Sequence, residues 1–189
     1  MNGDDLLLFF TDALQQAYED REKALRNLTP DERLFLFTQA ASIVDQFSPH
    51  RTGLTASEEA LKKKEREFAR LLVERLDYAS LITAAQRLTR LGNEYFLRRL
   101  AVAFSNRHPV PAPIPGVTGD VLFARATSYG LVIIGGSGPN GYDLDARFSL
   151  VIDLGGADVY RGSIGASQNT DLGNSVVIDL GGNDTYEAS

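Results

Sequence analysis

Cysteine is absent from the 189-residue chain, and histidine occurs only twice, at His50 and His108. Without cysteine, the chain can form neither a disulfide framework nor a thiolate metal site. The two histidines are far apart in sequence and belong to no H-E-x-x-H motif, so a zinc site is not expected. No segment approaches the ~20 consecutive apolar residues of a membrane span.

Basic residues are outnumbered, with 19 Lys and Arg against 25 Asp and Glu and a net charge of −6. Nucleic acid is therefore not an expected partner, because phosphate binding needs a basic face, whereas divalent cations are compatible with this charge. The first apolar run covers only residues 6–10 and follows two acidic residues, unlike a signal peptide. If the protein is exported, we expect its signal sequence to precede this numbering.

Glycine is scarce up to about residue 107, where Leu, Ala, Glu, Lys and Arg dominate. This composition and an apolar spacing of three to four residues predict a compact bundle of five helices. Thr29 with Glu32 and Thr55 with Glu58 have the spacing of capping boxes, which begin helices. Phe37 is predicted to lie on a buried helix face. The expected helices cover residues 4–27, 30–47, 55–76, 78–91 and 93–106.

A proline-rich segment, HPVPAPIPG, follows the predicted bundle. Alternating prolines cannot continue a helix and favour an extended, stiff connector. We therefore predict three parts: a helical bundle over residues 1–107, a linker over 108–118, and glycine- and aspartate-rich β repeats over 119–189. Short β-branched runs between glycine turns are typical of all-β structure.

The β part repeats itself. VIDLGGADVY (151–160) and VIDLGGNDTY (177–186) differ at only two positions, and LVIIGGSGPNGY (131–142) is a weaker relative. These are the second, third and first copies, respectively. We align Gly135 and Gly136 with Gly155 and Gly156, which gives the first copy two extra residues in its turn. Gly135, Gly155 and Gly181 then lie at spacings of 20 and 26 residues. Such periods favour stacked structural units.

Each copy predicts a strand, a glycine corner, an Asx turn and a second strand, which together form most of one coil of a β-solenoid. Stacking would place Asp153 over Asp179, Asp158 over Asp184, and Tyr160 over Tyr186, with the tyrosine rings stacked. Alternation along the strands predicts that Asp153 and Asp179 point outward from a polar face. Because stacked like charges repel, their carboxylates would need a cation, solvent or a basic partner, and Arg147 and Arg161 are nearby in the sequence.

The GGNDTY segment resembles the calcium-binding repeats of RTX proteins, although the period here departs from their nine residues. The resemblance implies a parallel β-roll that binds Ca²⁺. It also implies ligands from the Asp158 and Asp184 carboxylates and from the carbonyls of Gly155, Gly156, Gly181 and Gly182. The residues alone leave open a purely structural Asx turn without a metal.

We therefore expect an α+β protein, with an N-terminal helical bundle followed by the start of a parallel β-solenoid or β-roll. Its expected role is structural or interaction-based, in an exported or cell-surface bacterial repeat protein that continues beyond Ser189. The expected partner is the rest of the parent chain or another protein. Two alternatives stay open: a proteolytically processed fragment, and a metal-dependent hydrolase using Asp153, Asp158, Asp179 and Asp184.

Overall fold

The computed structural model of the chain describes residues 2–46, 58–111, 113–143, 147–163, 165–167, 170–171 and 173–187. In these residues the chain is an α+β protein, as predicted. The helices are α1 (Gly3–Leu25), α2 (Pro30–Gln46), α3 (Glu58–Arg75), α4 (Tyr78–Thr89) and α5 (Glu94–Phe104), with a short 3-10 helix, Arg90–Gly92, before α5. The helix boundaries lie within a few residues of the predicted ones.

The first predicted capping box is confirmed at the start of α2. The Thr29 N–H donates to Glu32 Oε2 at 2.8 Å, and the Glu32 N–H donates to Thr29 Oγ1 at 3.3 Å. These two bonds satisfy backbone donors that have no partner inside the helix. Thr55 of the second predicted box lies outside the described residues. Phe37 was predicted to be buried, and this is wrong, because its side chain is 39% exposed.

Replacement of Thr29 by alanine should lower the free energy of unfolding by about 1 kcal/mol, because the Glu32 N–H loses its side-chain acceptor. Urea denaturation followed by circular dichroism measures this change. Thr38→Ala is the matched control within α2, since the Thr38 hydroxyl bonds only within its own helix, to two carbonyls and to Gln39 Nε2. An equal loss in both variants would contradict a capping role for Thr29.

Eight short strands form two four-stranded sheets in the described residues. One sheet has the order β2-β3-β5-β7, and the other has the order β1-β4-β6-β8. In each sheet the first pair is antiparallel and the remaining pairs are parallel. The strands are β1 (Val117–Thr118), β2 (Val121–Thr127), β3 (Gly130–Gly135), β4 (Gly141–Asp143), β5 (Phe148–Asp153), β6 (Val159–Arg161), β7 (Val176–Asp179) and β8 (Thr185–Glu187).

The parallel pairs follow the sequence repeat. Asp153 pairs with Asp179 in one sheet, and Tyr160 pairs with Tyr186 in the other, as predicted. Each copy therefore contributes one strand to each sheet and joins them through its glycine turn. The second and third copies lie directly against each other at a shift of 26 residues.

The predicted alignment of the first copy is wrong. Ile133 pairs with Val151 and Tyr142 pairs with Tyr160, so the first and second copies match without any extra residue in the turn. The shift between them is 18 residues, not 20. Gly135 therefore takes the position of Asp153, while Asn140 takes that of Asp158, as counting back from the tyrosine predicted. The paired glycines misled the alignment because the first copy has its GG pair two residues earlier.

Both faces of the β2-β3-β5-β7 sheet are covered, so β5 is buried along its whole length. One face packs in a core against helices, and the other packs toward the tyrosines of the second sheet. Burial on both faces explains the unbroken apolar run in β5, which is typical of parallel strands. The first core contains Leu6, Phe10 and Leu14 of α1, Leu97, Leu100 and Phe104 of α5, and Val132, Ile134, Leu150 and Ile152 of the sheet.

The chain forms two compact units, one of residues 20–82 and the other of residues 1–19 together with 83–189. In the unit of residues 20–82, the Asp77 N–H donates to the Ala24 carbonyl at 3.1 Å, and Arg75 Nε donates to the Asn27 carbonyl at 2.8 Å. The second unit contains both sheets. The predicted domain boundaries at the proline-rich segment stay a prediction. Among the described helices, none has the length and apolar character needed to cross a membrane.

Candidate functional site

Glycines turn the chain from one sheet to the other in each copy. Gly155, Gly156 and Gly181 have φ values of 128°, 148° and 141°, which side-chain-bearing residues rarely adopt. In the second and third copies, an aspartate at the end of the preceding strand stabilises the turn. Asp153 Oδ1 accepts the Gly155 N–H at 2.7 Å, and Asp179 Oδ1 accepts the Gly181 N–H at 2.9 Å.

The prediction that Asp153 and Asp179 point outward is wrong. Asp153 is fully buried, and it lies on the same side of its strand as Val151, toward the tyrosines of the second sheet. Its Oδ2 accepts the Tyr142 hydroxyl at 2.5 Å. Asp179 Oδ2 accepts the Tyr160 hydroxyl at 3.1 Å. The tyrosines of the first two copies thus donate to the first aspartate of the next copy, whereas the Tyr186 hydroxyl donates to Asp179 of its own copy at 3.4 Å.

Arginines do not neutralise these aspartates. Arg161, one of the two predicted partners, instead forms an ion pair with Glu187 at 2.7 Å. Among the ion pairs of the described residues, none includes the buried aspartates. Their charge is therefore opposed only by hydrogen-bond donors.

The second aspartate of each copy bonds to the backbone of the copy before it. Asp158 Oδ1 accepts the Asn140 N–H at 2.7 Å, and Asp184 Oδ1 accepts the Asp158 N–H at 3.0 Å. The same position therefore links all three copies. Asn140 replaces the aspartate in the first copy and donates from Nδ2 to the Tyr142 hydroxyl at 2.9 Å.

The tyrosines form a continuous stack, which confirms the predicted stacking. Ring centroids of Tyr142 and Tyr160 lie 5.2 Å apart, and those of Tyr160 and Tyr186 lie 5.0 Å apart. The planes differ by 16° and 9°. Tyr142 and Tyr160 are buried, whereas Tyr186 is 54% exposed. Offset stacking of this kind stabilises aromatic pairs beyond the area that they bury.

Burial governs the protonation of the first aspartates. It raises the pKa of Asp153 to about 7; the bonds from Tyr142 and Gly155 oppose this rise, and the nearby Asp158 carboxylate adds to it. Burial also raises the pKa of Asp179, again against the hydrogen bond from its turn. Desolvation of a carboxylate has this sign because the charged form loses its water.

Carboxylates from two copies converge at one place in the interior. Oxygen atoms of Asp153, Asp158 and Asp179 all lie within 4.8 Å of one another. Asp158 is 1% exposed, and its Oδ2 has no hydrogen-bond partner among the described residues. Three close carboxylates can hold a metal ion or share protons, because their mutual repulsion must be relieved.

The ligands implied by the RTX resemblance fall in two groups. Asp158 belongs to the group of three close carboxylates, whereas Asp184 does not, and its Oδ1 accepts the Asp158 N–H. The glycines lie at the turns, where the Gly181 carbonyl accepts the Gly156 N–H at 3.1 Å and Gly156 forms a parallel bridge with Gly182. Gly155 bonds through its N–H to Asp153.

The sequence reasoning missed the inward position of Asp153 and Asp179. A signal was available in the run Leu150, Val151 and Ile152, which is apolar on both faces. Such a strand has no polar face, so an aspartate at its end points into packed structure whichever way it faces.

Comparison of the chain with known protein families, with curated proteins and with solved structures finds no match in any of the three.

Proposed function

We propose that this chain is the N-terminal cap and the first three coils of a β-solenoid, and that it serves as a structural scaffold that templates further coils. The observation that carries the proposal is the repeated register of the three copies. Tyr142, Tyr160 and Tyr186 occupy equivalent places, and parallel strand pairs join the copies in both sheets. Parallel stacking of repeat units is the geometry that a solenoid requires.

The two ends of the stack differ. At the first copy, β2 and β1 lie antiparallel to β3 and β4, which ends the parallel repeat on that side. Helices α1 and α5 cover the lateral face of the larger core. The antiparallel strands support a capping role, because they end the parallel repeat at that edge of each sheet.

At the third copy the edge is open to a partner. In the described residues β7 and β8 are the last strands of their sheets, and every residue of β8 is exposed. Leu180 and Tyr186 are 37% and 54% exposed. The matching occupant is one more coil of the same repeat, whose first aspartate would accept the Tyr186 hydroxyl. Each earlier tyrosine has such a partner in the next copy.

The burial of two of the four aspartates weighs against the hydrolase alternative. Asp153 and Asp158 are 0% and 1% exposed, so a substrate cannot reach them in this conformation. One oxygen of each also has a structural bond, since Asp153 Oδ1 accepts the Gly155 N–H and Asp158 Oδ1 accepts the Asn140 N–H of the preceding copy. A scaffold explains these bonds, whereas general acid–base catalysis needs a carboxyl group within reach of the substrate.

The test adds a fourth copy. A duplicate of residues 164–189 fused after Ser189 should raise the free energy of unfolding by about 2–4 kcal/mol, because it covers Leu180 and Tyr186. Urea denaturation gives this free energy.

The control is a fusion of the same 26 residues in scrambled order. It has the same length and composition but cannot place its aspartates, glycines and tyrosine in register. We expect it to leave the free energy of unfolding unchanged. Equal stability of the repeat fusion, the scrambled fusion and the original chain would contradict the proposed templating edge.

A further inference from the structure

We propose that one divalent cation, of the size and chemistry of Ca²⁺, binds inside the stack between the second and third copies, held by Asp153, Asp158 and Asp179. Oxygens of these three carboxylates lie within 4.8 Å of one another. Two of the ligands come from the second copy and one from the third, so the ion would tie adjacent copies together. The site does not depend on what covers the open edge.

A buried carboxylate oxygen without a hydrogen-bond partner indicates where the cation binds. Asp158 is 1% exposed, and its Oδ2 lacks any hydrogen-bond partner in the described part of the chain. Its Oδ1 is already used by the Asn140 N–H at 2.7 Å. A buried carboxylate oxygen without a partner is costly, and buried polar atoms in folded proteins are nearly always satisfied. A cation satisfies this oxygen directly.

The charge of the cluster also calls for a cation. Asp153 and Asp158 are buried side by side, and Asp179 adds a third carboxylate from the next copy. The donors that reach Asp153 and Asp179 are neutral: tyrosine hydroxyls and turn N–H groups. Neutral donors lessen the repulsion between like charges but do not remove it, whereas a divalent ion does.

The ligand chemistry selects among cations. All three groups are carboxylates, which favour hard ions over the ions that prefer nitrogen or sulfur. Ca²⁺ binds oxygens at about 2.3–2.6 Å, so ligands on opposite sides of the ion are about 5 Å apart. Oxygens within 4.8 Å of one another fit such a shell with little movement. Mg²⁺ needs shorter distances and stricter octahedral geometry.

The first copy lacks both carboxylates that the second copy supplies. Gly135 stands beside Asp153 in the register, and Asn140 stands in the place of Asp158. A matching site between the first and second copies is therefore excluded, and one ion per chain is expected. This site also differs from the set implied by the RTX resemblance, because it uses Asp153 and Asp179 and does not use Asp184.

Calorimetric titration of the full chain with CaCl₂, after treatment with chelator and dialysis, tests the proposal. We expect one Ca²⁺ bound per chain and a rise of Tm with millimolar Ca²⁺ that chelator reverses. Terbium provides a second measurement on the unmodified chain, since the ring stack beside the cluster should sensitise Tb³⁺ luminescence and Ca²⁺ should displace it. Absence of binding heat, Tm shift and luminescence would overturn the proposal and leave protons as the only neutralising charge.

Two substitutions locate the ion. Asp153→Asn keeps an acceptor for the Gly155 N–H but removes a ligand, so it should weaken Ca²⁺ binding by at least about tenfold. Asp184→Asn is the comparison variant, since its Oδ1 still accepts the Asp158 N–H and the residue adjoins Asp179 without being one of the three convergent carboxylates; we expect it to weaken Ca²⁺ binding less than Asp153→Asn does. Unchanged binding in Asp153→Asn with lost binding in Asp184→Asn would overturn the proposal and place the ion at the turns. Circular dichroism verifies that each variant is folded.

Discussion

Replacement of Gly135 by alanine is expected to destabilise the chain by at least about 3 kcal/mol. A Cβ atom at this position would overlap the Tyr142 hydroxyl and Asp153 Oδ2, and it would lie 3.0 Å from Asn140 Nδ2. All three groups belong to the buried hydrogen-bonded cluster. The added methyl group therefore overpacks the interior and also separates a buried donor from its acceptor, and both effects cost free energy.

Gly138→Ala is the control within the same turn. A Cβ at Gly138 meets no atom within 4 Å, and its backbone does not have a positive φ. We expect this variant to change the free energy of unfolding by less than about 0.5 kcal/mol. Urea denaturation followed by circular dichroism compares the two variants. Similar stability of Gly135→Ala and the original chain would show that the cluster does not fill the space beside Gly135.

Local sequence signals were sufficient to predict where the helices lie in the chain. The capping box at Thr29 and Glu32 and the apolar spacing located the helix boundaries in the described residues to within a few residues. These signals act through neighbours in the chain, so they are readable without knowledge of the tertiary fold. The packing of α1 and α5 on a sheet more than a hundred residues from the start of α1 has no such local signal.

The repeat likewise predicted the pairing of the second and third copies. Near-identical segments place equivalent residues side by side when they stack, and Asp153, Asp179 and the tyrosines follow this rule. The first copy could not be aligned by its glycines, because Gly135 and Gly136 serve a different purpose there. Gly135 provides room for the hydroxyl and the carboxylate of its neighbours, while Gly138 lies against Gly156 at the turn.

The site was harder to predict than the fold. Alternation of apolar and polar residues places an aspartate on a solvated face only when the strand has one, and β5 is buried on both faces. The partners of Asp153 are a turn N–H two residues away and a tyrosine from the preceding copy. The second of these depends on register between copies, so the convergence of three carboxylates follows from stacking and from no single motif.

Truncation of Tyr160 to alanine should cost about 3–5 kcal/mol of unfolding free energy, the range found for large buried aromatic residues. The ring is fully buried and lies in the middle of the stack, between Tyr142 and Tyr186. Its hydroxyl also donates to Asp179 at 3.1 Å. Tyr160→Phe retains the ring and removes only the hydroxyl, so we expect a smaller loss of about 1–2 kcal/mol.

The Tyr186→Ala variant separates stacking from burial. Tyr186 contacts one ring of the stack and is 54% exposed, so its loss should cost only about 1 kcal/mol. Urea denaturation measures the loss of unfolding free energy in Tyr160→Ala and in Tyr186→Ala. The ratio of the two losses reports how strongly the middle of the stack joins the copies. If Tyr160→Ala lowered the free energy of unfolding no more than Tyr186→Ala does, the tyrosine stack would not contribute to holding the copies together. A threefold or larger difference is expected because the central ring contacts the rings on both sides of it, whereas Tyr186 contacts only one.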